Sequence, residues 1–354
     1  MAPDVRWSDS YAGREDRAVQ HPPEVPRPRH RSGPSGAARP PAPCSSACSR
    51  PGSSTHWSRS SRWSPRTTSW PRIHPEAYRR ALRSFCEAGG GPLDADTAVV
   101  PASWEAALLA AGAGIEVARR LQAGEGTVGF CAVRPPGHHA LASQAMGFCL
   151  FNNVAVAAAW LRDQGERVLI VDYDAHHGNG TQDLFWSDPD VFYVSMHEWP
   201  QYPGTGGIRE VGDGAGLGTT LNLPYPSFTT GDHYRRAVDE VLVPQMAAWG
   251  PTWLLVSAGF DGHRADPITS LGLTSGDYAD LTASLLELVP SGRRLLFLEG
   301  GYDLDALARC TGAVLSTVVD GGAYRPEPAS SGGPGGQVCD AVLNIRARLA
   351  DGEV

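Results

Sequence analysis

The sequence predicts an α/β fold, a mostly parallel sheet between helices, and three observations carry that reading. Short apolar, β-branched runs such as Val168-Leu-Ile-Val171 and Trp253-Leu-Leu-Val-Ser-Ala258 have the continuous hydrophobicity of strands buried on both faces. Longer runs with Ala, Leu and Val at helical spacing alternate with them. Each strand run stops in a polar or Gly-rich loop, and open α/β sheets bind ligands beyond such carboxyl ends. With 354 residues and 42% hydrophobic content the chain can bury a large core as one domain, so two domains are not required.

The elements follow in order. Ile73-His-Pro-Glu-Ala-Tyr-Arg-Arg-Ala-Leu-Arg-Ser-Phe85 reads as a short helix, followed by a Gly-rich turn and Asp94-Ala-Asp-Thr-Ala-Val-Val100. Pro101 starts a long helix from about Ser103 to Leu121, where Ala, Leu and Ile recur at helical spacing. Val128 to Val133 is a strand that ends in the loop Arg134-Pro-Pro-Gly-His-His-Ala140, and Asn152 to Asp163 is a helix leading into the strand at Val168. Further strands are expected at Val191 to Met196, Thr219 to Leu223, Trp253 to Ala258 and Arg294 to Leu298. Helices are expected near Asp232 to Ala248, Ser275 to Val289 and Asp303 to Val319. The Gly- and Pro-rich stretch from Gly321 to Gly336 reads as a linker before a last short helix.

Residues 1 to 71 differ from the rest. From His21 to Pro71 they are rich in Pro, Arg and Ser and follow neither period 2 nor period 3.6, so they cannot bury enough apolar surface to offset chain entropy and are expected to be poorly ordered.

Composition narrows the function classes. A net charge of −8 gives no basic footprint for nucleic acid, and no run approaches the ~18 apolar residues of a membrane span. The opening Met1-Ala-Pro-Asp4 lacks the basic start and apolar core of a secretion signal, so a cytoplasmic location is expected. Seven scattered cysteines, odd in number, argue against a disulfide framework and read as reduced thiols. All 30 basic residues are arginine, a coding bias rather than a sign of function.

The chemistry gathers at four strand ends. After the central strand come Asp172, Asp174 and His176, two apart in an extended chain, so their side chains share a face and can converge on one metal ion. A catalytic zinc site takes three nitrogen or oxygen ligands and leaves a fourth position for water, and Asp174 and His176 would supply two of the three. The other three ends carry His138-His139, Ser257-Ala-Gly-Phe-Asp261 and Glu299-Gly-Gly-Tyr302. Singly, these read as a capped strand end, loop histidines, a helix cap and a turn. Four together at the ends of one sheet point to a site.

The blocks Arg134-Pro-Pro-Gly-His-His-Ala140, Gly147-Phe-Cys-Leu-Phe-Asn-Asn153, Asp172-Tyr-Asp-Ala-His-His-Gly-Asn-Gly-Thr181, Ser257-Ala-Gly-Phe-Asp261 and Glu299-Gly-Gly-Tyr302 resemble the histone deacetylase family. They are closest to its class II-like bacterial members and to the acetylpolyamine amidohydrolases, and run in order from about Ile73 to Thr317. The resemblance implies an arginase/deacetylase-like three-layer fold and a zinc-dependent deacetylase of N-ε-acetyl-lysine in proteins. It makes Asp174, His176 and Asp261 the ligands of one zinc per chain, and His138, His139 and Tyr302 the catalytic groups. The resemblance also implies that His138 pairs with Asp172 and His139 with Asn179, so that the carboxylate partner leaves His138 the more basic of the two. Phe148 and Tyr202 are implied as tunnel walls, the Gly147 carbonyl as acceptor of the substrate amide N–H, and Ile268 as an apolar rim residue. A potassium ion is implied near Asp172, Asp174, His176, Ser195 and Met196.

Expected partners are an acetylated protein or a small acetylated amine, with no direct nucleic-acid or membrane contact, and a homo-oligomer is open. Acetylpolyamine hydrolysis is the nearest rival activity, and a catalytically impaired homologue the next. An arginase-like ureohydrolase is minor, since His176-His-Gly-Asn179 stands where a second metal would want an acidic ligand. The zinc-dependent deacetylase domain is placed at 72–320 and the linker with the C-terminal helix at 321–354. Where the family has a strand, a His-Pro-Glu loop and an arginine-bearing helix, this chain has only the echo His21-Pro-Pro-Glu24, so residues 21 to 71 read as translated out of frame, with the register resuming at Arg72, and a true linker or tail is the competing account.

Overall fold

The computed structural model describes residues 73–353; the expectations for residues 1–71 lie outside them. Six strands form one sheet: β3 (Gly129–Cys131), β4 (Val168–Asp172), β5 (Val191–Glu198), β6 (Thr220–Tyr225), β7 (Trp253–Ala258) and β8 (Arg294–Leu298). They lie in the order β3-β8-β7-β4-β5-β6, and every neighbouring pair is parallel. A two-residue hairpin, β1 (Gly91–Pro92) with β2 (Ala98–Val99), stands apart from it.

Alternation along the strands explains the layers. In β4, Val168 and Ile170 face one apolar cluster while Leu169 and Val171 face another, and β7 divides Trp253 and Leu255 from Leu254 and Val256 in the same way. The first cluster is closed by α1 (Glu76–Glu87), α2 (Ser103–Gln122) and α3 (Asn153–Arg162). The second is closed by α5 (Gly231–Ala237), α6 (Val243–Trp249), α7 (Ser275–Leu286), α8 (Leu304–Asp320) and α9 (Gly336–Ala350). The sheet is therefore buried on both faces, which is why its strands read as unbroken apolar runs.

Several helix starts are set by side chains that satisfy free amides. Asn152 accepts from the Ala155 amide before α3, and Asp303 accepts from Ala306 before α8. Thr274 and Asp277 form a capping box at α7. The single helix expected over Asp232 to Ala248 is instead α5 and α6 joined by a π-helical turn, Val238–Leu242. Pro244 has no N–H to give to the carbonyl four residues back, so the ladder shifts there. The short helix α4 (Asn179–Phe185) was not expected from sequence.

Among the described residues no helix is long and apolar enough to cross a membrane. Cys86, Cys131, Cys149, Cys310 and Cys339 are free and buried, as expected of reduced thiols. The sheet order sets the position of the site. The strands β3, β8, β7 and β4 are consecutive neighbours, so the four loops that carry the chemistry leave the sheet side by side.

Candidate metal centre and active site

The chain leaves β4 outward through β5 and β6 and comes back on the other side through β7, so the sheet changes direction between β4 and β7. Crevices at such points are the usual ligand sites of open α/β sheets. Here Asp174 and His176 follow β4 and Asp261 follows β7. One ligand atom from each lies within 4.8 Å of the others, and all three residues are buried. His176 Nδ1 stands 3.2 Å from Asp174 Oδ1 and 3.0 Å from Asp261 Oδ2.

Backbone amides aim the two carboxylates. Asp174 Oδ1 accepts the His176 N–H at 2.9 Å and its Oδ2 accepts the Gly300 N–H at 2.8 Å, while Asp261 Oδ1 accepts the Ala175 N–H at 2.8 Å. Gly259 and Gly300 allow this packing, because a Cβ on Gly259 would overlap the Asp174 carboxylate and one on Gly300 would overlap both carboxylates.

Two carboxylates fully removed from water are costly unless neutralised. The ion pairs of Asp174 and Asp261 among the described residues are to histidines, not to arginine. Burial and the neighbouring Asp174 carboxylate push Asp261 up to about 7. Burial would lower His176, yet Asp261 and Asp174 raise it to about 11. Both shifts report one demand, for positive charge at the point where the three side chains meet. Two oxygen donors and one imidazole suit a catalytic zinc, so these residues could hold one.

The histidine pair lies beside this cluster, with ring centroids 4.0 Å apart. His138 Nδ1 is 3.0 Å from Asp172 Oδ2, and His139 Nδ1 is 2.8 Å from Asn179 Oδ1, so the pairing expected from sequence is present. Burial would lower His138, but Asp172 and Asp174 outweigh it and raise the imidazole to about 10. Burial and the charge on His138 hold His139 well below its ordinary value. The two rings are thus pushed in opposite directions, His138 toward the protonated form and His139 toward the neutral one.

A cavity of about 250 Å³ opens onto these groups and is lined by His138, His139, Asp174 and His176 at its base and by Gly147, Phe148, Tyr202, Ile268 and Tyr302 above. Asp172, Asn179 and Asp261 stand behind the lining and contact it through His138, His139 and His176. Tyr202 packs edge-on to His139 with centroids 5.1 Å apart, and Phe148 packs edge-on to Tyr302 at 6.1 Å. Phe148 and Ile268 are 43% and 47% exposed. The Tyr302 N–H donates to Asp266 Oδ2 at 2.8 Å, which seats the ring; burial and the Asp174 and Asp261 charges keep its hydroxyl protonated. Ser195 pairs with Asp172 across β5 and β4.

Asp96 and Gln201 also line the cavity, and neither was singled out from sequence. Asp96 sits in the loop between β1 and β2, whose two-residue strands carry no pattern to read; the only signal is the acidic pair Asp94 and Asp96 beside a long helix.

The histone deacetylase domain family matches residues 55–318, including the end of the Pro-, Arg- and Ser-rich stretch. Histone deacetylase 10, chloroplastic, of Oryza sativa subsp. japonica is 45% identical over 231 residues, 62% of this chain and 51% of that protein, so the match spans about half of its length. A probable deacetylase of Archaeoglobus fulgidus is 39% identical over 268 residues, 72% of this chain and 74% of that one. A histone deacetylase-like amidohydrolase of Pseudomonas aeruginosa is 36% identical over 250 residues, 69% of this chain and 66% of its own. The crystal structure of the HDA15 HD domain superposes with a TM-score of 0.73 at 35% identity, covering 80% of this chain and 82% of that one, so the three-layer arrangement is the arginase/deacetylase-like fold. On the family match, these relatives and the shared fold, the chain belongs to the histone deacetylase family.

Proposed function

We propose that this protein is a zinc-dependent amidohydrolase that removes acetyl groups from lysine side chains of proteins. The observation that carries the reading is the convergence of Asp174, His176 and Asp261 beside a histidine pair oriented by Asp172 and Asn179. Zinc held by these three residues supplies a Lewis acid and a position at which water is acidic enough to attack near neutral pH.

The chain's own groups do the rest. His139, neutral and oriented by Asn179, takes the proton of the attacking water. His138, kept protonated by Asp172 and Asp174, offsets the charge that develops and supplies the proton for the departing amine. Tyr302 donates its hydroxyl to the carbonyl oxygen as that oxygen becomes negative. Phe148 and Tyr202 hold the alkyl chain between two aromatic walls, and the Gly147 carbonyl accepts the amide N–H. A potassium ion near Asp172, Asp174, His176, Ser195 and Met196 belongs to the same reading.

One observation favours acetylpolyamine as a second substrate. Ile268 gives the rim no partner for a second ammonium, but Asp96 sets a carboxylate in the same cavity. An assay of the zinc-loaded protein on an acetyl-lysine peptide and on N-acetylputrescine decides. A kcat/KM at least tenfold higher on the peptide supports the lysine reading, the reverse order supports the polyamine, and cleavage of neither refutes the proposed activity.

A further inference from the structure

The loop that carries His138 is gripped on its two sides by different groups. On the acceptor side, the His138 carbonyl takes the Thr181 N–H at 3.1 Å, and Asn152 Nδ2 donates to the Ala140 carbonyl at 3.3 Å. On the donor side, one carboxylate serves two buried amides. Glu299 Oε2 accepts the Gly137 N–H at 2.6 Å and the His138 N–H at 3.2 Å. Its Oε1 accepts the Ser257 hydroxyl at 3.1 Å, and the Glu299 N–H donates to the Ala258 carbonyl at 3.2 Å.

Glu299 therefore joins the ends of three strands. The β3–β8 ladder stops at the pair Cys131 and Phe297, and beyond it the His138 loop meets β8 through this carboxylate. Ser257, on β7, lies in register with Asp172, the carboxylate that holds His138. Three residues past Glu299 comes Tyr302. Glu299 itself is buried and does not line the cavity of the candidate active site.

Resting on the deacetylase reading above, we propose that Glu299 is a positioning residue for that reaction: its two oxygens set the height of His138 against Tyr302 and Asp261 without touching the substrate. A buried backbone amide left without an acceptor is costly, so losing Glu299 frees the loop to move and find other partners. A misplacement on the order of 1 Å costs a reaction of this type about 100-fold.

The test uses the full-length zinc-loaded protein and the variants Glu299→Gln, Glu299→Asp and Glu299→Ala. Gln keeps the reach and an acceptor oxygen for the two amides, and Ser257 can reverse its hydroxyl to accept from the new NH₂. Asp keeps the charge and withdraws the acceptor by one methylene. For Ala, kcat on an acetyl-lysine peptide falls about 100-fold while KM stays within about twofold, since the tunnel walls do not hang on Glu299. Gln restores most of kcat and Asp does not. Amide hydrogen exchange of the segment 135–140 speeds up in Ala and Asp, stays protected in Gln, and is unchanged elsewhere in the chain. Wild-type kcat in Ala, or Asp more active than Gln, overturns the proposal. Should Ala fail to fold, the order of Gln and Asp still decides. Exchange is read without turnover, so a wild type that cleaves no acyl amide refutes the deacetylase reading while the exchange pattern judges Glu299.

Discussion

His138 and His139 are tilted neighbours whose pKa values are pushed in opposite directions. The rings are 4.0 Å apart, and the difference arises one layer out, where His138 faces the Asp172 carboxylate at 3.0 Å and His139 faces the Asn179 amide oxygen at 2.8 Å. Changing Asn179→Asp gives His139 a carboxylate of its own and raises its pKa, by about one unit or more. If neutral His139 is the base, the acidic limb of the kcat/KM profile then moves to higher pH by that amount. A limb that stays in place in this variant but moves in Asp172→Asn makes His138 the base instead.

Gly300 shapes the candidate metal centre by having no side chain. Its amide holds Asp174 Oδ2 at 2.8 Å, and a Cβ in its place would overlap the Asp174 and Asp261 carboxylates. Gly300→Ala should weaken zinc about 10- to 100-fold, the range seen when an outer partner of a metal ligand is lost. Competition with a chelator of known affinity measures this. Unchanged affinity would mean that the two carboxylates are free to adjust.

Tyr302 lines the cavity with its hydroxyl kept protonated, and on the proposed function it donates to the developing oxyanion. Tyr302→Phe removes the donor and little else, so kcat should fall by about 10²- to 10³-fold with zinc content unchanged. A loss confined to KM would assign the ring to the tunnel wall alone.

His74 ties the first helix to the loops of the site. Its Nδ1 is 3.1 Å from the Ala142 carbonyl, and its Nε2 accepts the Asn152 N–H at 2.8 Å, so the buried ring must stay neutral. Burial accordingly lowers its pKa from 6.5 to about 4. Because the folded value lies below the unfolded one, this contribution is intact above pH 6.5 and drains away as the pH falls toward about 4. Urea unfolding across that window should cost the wild type up to about 3 kcal/mol more than His74→Gln, which cannot titrate. His177 and His197 shift in the same direction, so the difference between the two proteins is the quantity to read. Parallel losses would show that His74 titrates normally.

Residues whose role is local were legible in the sequence, and residues whose role is tertiary were not. The run Val168 to Val171 could be read as a strand because burial on both faces leaves no polar position. Asp172, Asp174 and His176 could be grouped because alternation in an extended chain is a local rule. Asn152 and Asp303 were placed within a residue of their helices, as caps require. By contrast α4 is built from a polar Asn-Gly-Thr-Gln start with no apolar period, so it read as loop. Glu299 was visible only as part of a strand-end block, because its partners are backbone amides 161 and 162 positions away. Asp96 reaches the cavity through a hairpin of two-residue strands, too short for any pattern.

The central claim is that Asp174, His176 and Asp261 together hold one catalytic ion. Metal analysis of the purified chain beside Asp174→Ala, His176→Ala and Asp261→Ala tests it most directly, with acetyl-lysine hydrolysis followed in parallel. The account predicts one zinc per wild-type chain, little or none in each variant, and activity that vanishes on chelation and returns with zinc. Full zinc occupancy in any of the three variants, or hydrolysis that survives removal of the metal, would contradict it.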